Sequence, residues 1–278
     1  MGAVRALTGP RAFRPGGGAV ILRLALLAIL AVTSLTPLLL LAVQSFGGKW
    51  LFPAVLPASF TVDDWLFVGK GTAMRSAVTS SVVLGVATAA TASCIGLFAG
   101  RAISRLRGRL RHLAAALAFL PVAVPPLALG TGLQVTLLKL GLGGTMGGVF
   151  VAHLVPASAY LSLFYMSAFM MLDGRVEAES RTLGAGTAAT WMRVLLPLLR
   201  PQILEGVIIG FLISWSQFAL TLIVGGGVVR SLPLEVFSFV QAGQDRPAAV
   251  GSLILVAPPM IAFAALRWAA QRTEAVIG

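Results

Sequence analysis

Six long apolar runs, separated by short polar connectors, leave this chain few ways to fold. They lie at about Ala19–Phe46, Ser76–Gly100, His112–Leu140, Val149–Leu172, Ile203–Val224 and Ala248–Trp268. Hydrocarbon offers the backbone no hydrogen-bond partner, so each run must satisfy its own amides as a helix. About 20 apolar residues are enough to cross the roughly 30 Å of a bilayer core. The reading is an all-α membrane protein with six transmembrane helices. Composition agrees, since 58% of residues are hydrophobic and 11% charged, whereas soluble domains run near half and a quarter. The first run follows Arg5, Arg11 and Arg14 and contains Arg23. It is too long for the apolar core of a cleaved signal peptide and reads as a retained span.

Charge sets the orientation. On one side fall Arg5, Arg11, Arg14, Arg23, Arg101, Arg105, Arg107, Arg109, Arg111, Arg175, Arg181, Arg193, Arg200, Arg267 and Arg272, fifteen in all. The other side has six: Lys49, Lys70, Arg75, Lys139, Arg230 and Arg246. The positive-inside rule makes the first side cytoplasmic and puts both termini there. The expected organisation is a cytoplasmic tail over 1–18, one transmembrane domain over 19–268 and a second cytoplasmic tail over 269–278. The net charge of +12 is spread over membrane-edge loops without interleaved aromatics, so nucleic acid is not a partner. Lipid is.

Several classes of chemistry lack their residues. Cys94, the single cysteine, sits in an apolar stretch and can form neither an intrachain disulfide nor a CxxC site. With His112 and His153 the only histidines, no metal cluster or intramembrane catalytic set assembles, and no cofactor is expected. The nearest string to a phosphate-binding loop, Gly69-Lys70-Gly71-Thr72, lacks both the Gly five residues before the Lys and the Ser/Thr after it. A secondary transporter remains an alternative, but it needs coupling carboxylates within the spans, and none of the nine acidic residues lies at mid-membrane depth.

Of the outer connectors, Gly47–Met74 is long and reads as a partly structured surface segment. Gly141–Gly148 is a tight Gly-rich turn. Gly225–Pro247 contains LPLEVFSFV, expected as a short amphipathic piece at the interface. The informative segment is cytoplasmic: DGRVEAESRTLGAGTAATWMRVLLPLLRPQI, Asp173–Ile203. It predicts a helix from about Arg175 to Leu183, a bend at Gly184 and Gly186, and a second short helix stopped near Pro197 and Pro201. Val176, Leu183, Trp191 and Val194 give an apolar face; Glu177, Glu179, Arg181 and Arg193 give a charged one. Periodicity alone leaves open whether such a piece docks into a cytoplasmic partner or rests on headgroups.

At these residues the sequence resembles the permease subunits of bacterial ATP-binding-cassette importers, the MetI-like superfamily. Their signature is Glu-Ala-Ala, three residues, Gly, nine residues, then Ile-x-Leu-Pro. Here Gly184 is followed by nine residues and Val194-Leu195-Leu196-Pro197, while the first triplet is Ala178-Glu179-Ser180, with a further glutamate at Glu177. PVAVPPLALG (121–130), AHLVPASAY (152–160) and SWSQFALTLIVGGG (214–227) carry the likeness over about 75–265, nearest to the branch for polyamines, thiamine, ferric iron or phosphonates. The resemblance implies a coupling helix within 173–201, between helices 4 and 5. It assigns Glu177, Ala178, Glu179, Ser180, Arg181, Gly184, Val194, Leu196 and Pro197 to contact with the ATPase. It also implies two ATPase subunits, a homologous second permease in a heteromeric pair and an extracytoplasmic solute-binding protein. ATP hydrolysis would fall to the partner, so the chain itself is no enzyme, and its place is the bacterial inner membrane.

Polar groups within the spans are the candidates for the translocation path: Gln134, Ser214, Gln217 and Thr221. The last three stand at i, i+3 and i+7, one face of a continuous helix. Helix-to-helix hydrogen bonding is the competing role for the hydroxyls, and packing is the expected role of His153. Glu205 is expected to complement the N-terminus of span five. The pairs Pro125-Pro126 and Pro258-Pro259 are expected to kink spans three and six.

Overall fold

The structure, a computed structural model, describes residues 17–48, 50 and 54–277, without the side chains of 19 and 266–277. The charges of Arg5, Arg11, Arg14, Lys49, Arg267 and Arg272 therefore lie outside the described residues. Thirteen helices run in order: α1 (Gly17–Phe46), α2 (Asp63–Lys70), α3 (Thr72–Arg105), α4 (Gly108–Ala123), α5 (Pro126–Lys139), α6 (Met146–Met171), α7 (Gly174–Thr182), α8 (Thr187–Thr190), α9 (Leu196–Leu198), α10 (Arg200–Trp215), α11 (Ala219–Gly225), α12 (Leu232–Gln241) and α13 (Asp245–Ile277). A π-helical turn, Trp191–Leu195, joins α8 to α9. Among the described residues the only β pairing is one bridge, Gly47 to Phe60.

Four helices are long and apolar enough to span on their own: α1, α3, α6 and α13. Two more spans are broken helices, which makes six when each broken pair is counted once. Span three bends where Pro125-Pro126 were expected to kink it, dividing into α4 and α5 at 91°. Pro125 and Pro126 remove two successive amide donors, and Val124 and Pro125, each preceding a proline, are held extended at ψ 133° and 135°. By contrast, Pro258 and Pro259 leave α13 unbroken, and the helix runs through the expected C-terminal tail to Ile277.

Span five departs from expectation twice. The approach helices meet α10 at a 75° bend around Leu199, and α10 then ends at Trp215, three residues before α11 begins. Because α10 starts at Arg200, Glu205 lies beyond its first turn and is not the expected cap. LPLEVFSFV forms the short helix α12, which buries Leu232, Pro233 and Glu235 against the bundle and leaves Phe237 and Val240 exposed. Its Leu232 amide donates to Ser81 Oγ at 2.7 Å.

A stripe of small residues on α3 holds the bundle together. Gly85, Ala89, Ala92, Ser93, Gly96 and Gly100 are buried at helical spacing, facing α6 and α10. A Cβ on Gly100 would stand 2.6 Å from the Met166 amide and 2.7 Å from the Ser162 carbonyl. On Gly96 it would be 2.7 Å from Leu161 Cβ. On the facing α10, a Cβ on Gly210 would stand 3.1 Å from Ala89 Cα. Lipid tails supply no hydrophobic drive to push helices together, so close backbone approach through small residues does that work.

Gly100→Val places its side chain against backbone that cannot retreat, and is expected to cost about 2 kcal/mol or more. Thermal unfolding of the full chain in detergent reads this. An unshifted transition would mean that α3 and α6 are further apart than described.

Candidate functional site

The connector over 173–203, between spans four and five, is built mostly from backbone hydrogen bonds. Asp173 opens α7 by accepting from the Arg175 amide at 2.9 Å. At the other end the Gly184 amide donates to Arg181 O and the Ala185 amide to Ser180 O, each at 3.0 Å. This is the Schellman pattern, and it requires the left-handed φ of +82° that Gly184 adopts. No atom lies within 4 Å of where a Gly184 Cβ would be, so the glycine serves conformation and not space. Ser180, buried, shares a 3.1 Å hydrogen bond with Thr190, which holds α7 against α8.

The π-helical turn follows from Pro197. Without an amide it cannot donate to the carbonyl of Arg193 four residues earlier, and the Leu196 amide reaches five residues back to Trp191 O. The widened turn directs Trp191 inward, with ring centroids 5.4 Å from Phe98 and 6.0 Å from Phe169. Val194, Leu196 and Pro197 are half-buried beside it. Of the expected apolar face, Trp191 thus turns to the bundle, whereas Leu183 is 88% exposed. Ala178, Glu179 and Arg181 are also exposed.

Glu177 behaves differently from Glu179. Its carboxylate pairs with Arg101, Arg105 and, at 2.9 Å, Arg181, and its side chain is 16% exposed. Arg101 also lies over the ring of Phe169, 5.0 Å from the centroid. Sequence reasoning used Arg101 and Arg105 only for orientation, because the partner lies more than seventy positions away.

The four path candidates part company. Ser214 and Thr221 are buried on either side of the gap between α10 and α11, and both bond to His153, itself 1% exposed. His153 Nδ1 and Ser214 Oγ are 2.9 Å apart, as are Nε2 and Thr221 Oγ1. Thr221 donates its own proton to Gln217 O at 2.9 Å, so it must accept from the imidazole. That assigns the proton to Nε2, and Nδ1 accepts from Ser214. His153 therefore bridges the interrupted span, a packing role as expected, with a defined tautomer. Gln217 sits in the gap and is half-buried, as is Gln134 on α5. The helical face expected of 214, 217 and 221 is absent because the helix stops between them. No group of three potential metal ligands occurs among the described residues.

Residues 92–275 match the family described as binding-protein-dependent transport system inner membrane component. The chain belongs to this family. Among relatives of this permease, the molybdenum transport system permease protein ModB of Mycobacterium tuberculosis is 34% identical over 199 residues, 64% of this chain and 74% of that protein. The putrescine transport system permease protein PotI of Escherichia coli K12 is 27% identical over 241 residues, covering 82% and 84%. A solved bacterial alginate ABC transporter in complex with an alginate pentasaccharide-bound periplasmic protein shares the fold, with a TM-score of 0.66, 13% identity, and 87% and 91% of the two chains covered. The permease is thus an ABC importer component of MetI-like fold and not an enzyme.

His153→Leu leaves Ser214 unpartnered and frees the start of α11. Interhelical hydrogen bonds in membranes contribute on average under 1 kcal/mol. The variant should lower the unfolding midpoint in detergent by a few degrees, and His153→Gln should recover part of it. Equal stability of all three chains would remove the bridge from the account.

Proposed function

We propose that this permease forms one half of the translocation path of an importer in the bacterial inner membrane. Both termini are cytoplasmic. A homologous second permease completes the path, two ATPase subunits drive it, and an extracytoplasmic binding protein delivers a small polar solute. The reading rests above all on the 173–201 segment. A short helix with a rigid cap presents Leu183 and Glu179 to the cytoplasm while Trp191 and Ser180 anchor it to the bundle. A docked element of this kind converts movement of a partner into rigid-body movement of the spans.

Gln217, half-buried in the gap between α10 and α11, and Gln134, half-buried on α5, are the residues of this chain best placed to meet solute. Ser214 and Thr221 stay with the path only as supports for the break, through His153. Polyamines, thiamine, ferric iron and phosphonates are the expected solutes. The ModB likeness adds molybdenum, in the same class of small polar cargo.

Purification of the tagged chain in mild detergent from its own host, with mass spectrometry of co-purifying proteins, tests the assembly. An ATPase, a second permease and a binding protein are expected, and the ligand on the binding protein names the solute. Recovery of the chain alone under several detergents would return the secondary-transporter alternative. In a second test, Gly184→Val forces a branched side chain into a left-handed backbone. Uptake of the solute so identified should fall to background at normal membrane levels of the protein; normal uptake would take the coupling role away from this turn.

A further inference from the structure

The two glutamates of α7 stand on different sides of the helix. At 100° per residue, Glu179 is turned about 200° from Glu177, and Leu183 about 240°. One direction leads to α3 and the other to the cytoplasm.

On the α3 side, a single carboxylate meets three guanidinium groups. Arg105 comes from the last turn of α3, Arg101 from the turn before it, and Arg181 from α7 itself. Arg101 is only 13% exposed and is held from its other side by the buried ring of Phe169 on α6. A continuous line therefore runs from α6 through Arg101 to Glu177. Partly buried ion pairs with defined partners are screened far less than surface pairs. Without the carboxylate, three like charges would be left together, and α7 would lose its polar link to α3. On the cytoplasmic side, the Glu179 carboxylate pairs with no described residue, and Leu183 is almost wholly exposed. An anionic group next to a protruding apolar one fits a groove with a cationic rim and an apolar floor.

We propose that Glu177 is the positioning residue of the coupling helix, clamping α7 to the cytoplasmic end of α3 through Arg101 and Arg105, while Glu179 and Leu183 meet the ATPase. This rests on the importer reading above. It divides the coupling set in two: Glu177 transmits force within the permease, and Glu179 receives it from the partner. The movement of α7 is then delivered straight into α3, the helix against which α6 and α10 are packed.

The test pairs two measurements on full-length chain. Amide exchange over 174–182 in the detergent-solubilised permease reads the clamp, and recovery of the ATPase in the pull-down reads docking. Hydrogen bonds to charged groups set the scale, so Glu177→Gln should speed exchange over 174–182 by about tenfold. Arg101→Gln should do so in part, because Arg105 and Arg181 still reach the carboxylate, and the double variant should not exceed Glu177→Gln, since the Arg101 pair is already lost there. ATPase recovery should persist in Glu177→Gln. Glu179→Gln and Leu183→Asp should leave exchange in the permease alone unchanged and lower ATPase recovery several-fold. The proposal is overturned if Glu177→Gln lowers ATPase recovery with exchange unchanged, or if the effects of Arg101→Gln and Glu177→Gln on exchange simply add. If the unmodified chain recovers no ATPase, the importer reading fails, and the exchange measurement still decides the clamp.

Discussion

The close approach of α3 to α6 is the contact on which the rest of this molecule depends. At Gly100 the two backbones come so near that even a methyl group would strike main-chain atoms of Ser162, Tyr165 and Met166. A helix held by its backbone cannot slide or roll without breaking many contacts at once, because packed interiors have little free volume. Arg101 is the next residue along. Its position over Phe169, and so the place where α7 is gripped, is inherited from that contact. The same stripe receives α10 through Gly210, and the 173–201 segment therefore leads into the central helix of the bundle.

Much of this was legible in the residues. Apolar length fixed the location of the spans, since hydrocarbon thickness and helix rise leave little choice, and Gly184 with the Leu-Pro beyond its nine-residue spacer marked the connector between spans four and five. The breaks were less legible. Pro125-Pro126 and Pro258-Pro259 look alike in sequence, yet one bends the chain by 91° and the other lies in an unbroken helix. Whether freed carbonyls find other partners decides such cases, and those partners come from tertiary packing. The end of α10 has no proline at all. Its hydroxyls at Ser214 and Thr221 fit helical spacing, and only the arrival of His153 from α6 shows that they bracket a gap.

Charge was legible in sum and not in pairing. The arginines of RAISRLRGRLR weigh the charge toward one side of the membrane, and a count needs no partners. Singling out Arg101 and Arg105 requires knowing that α3 ends beside α7. The two glutamates differ in the same way. Both fall near the position the family motif reserves for a carboxylate, and helical phase alone separates them once the start of α7 is known.

The Schellman turn at Gly184 has a bearing on how such transporters diversify. The shape of the 173–201 segment is written in main-chain hydrogen bonds, in one glycine and in inward-facing side chains such as Ser180 and Trp191. Its outward residues carry almost none of that architecture. If Leu183 and Glu179 meet the ATPase as proposed, they are free to change as a partner surface changes, without refolding the segment that displays them. Duplicated importers within one cell can drift apart in this way to avoid exchanging motors, and the same two positions offer a handle for building permease–ATPase pairs that ignore their neighbours.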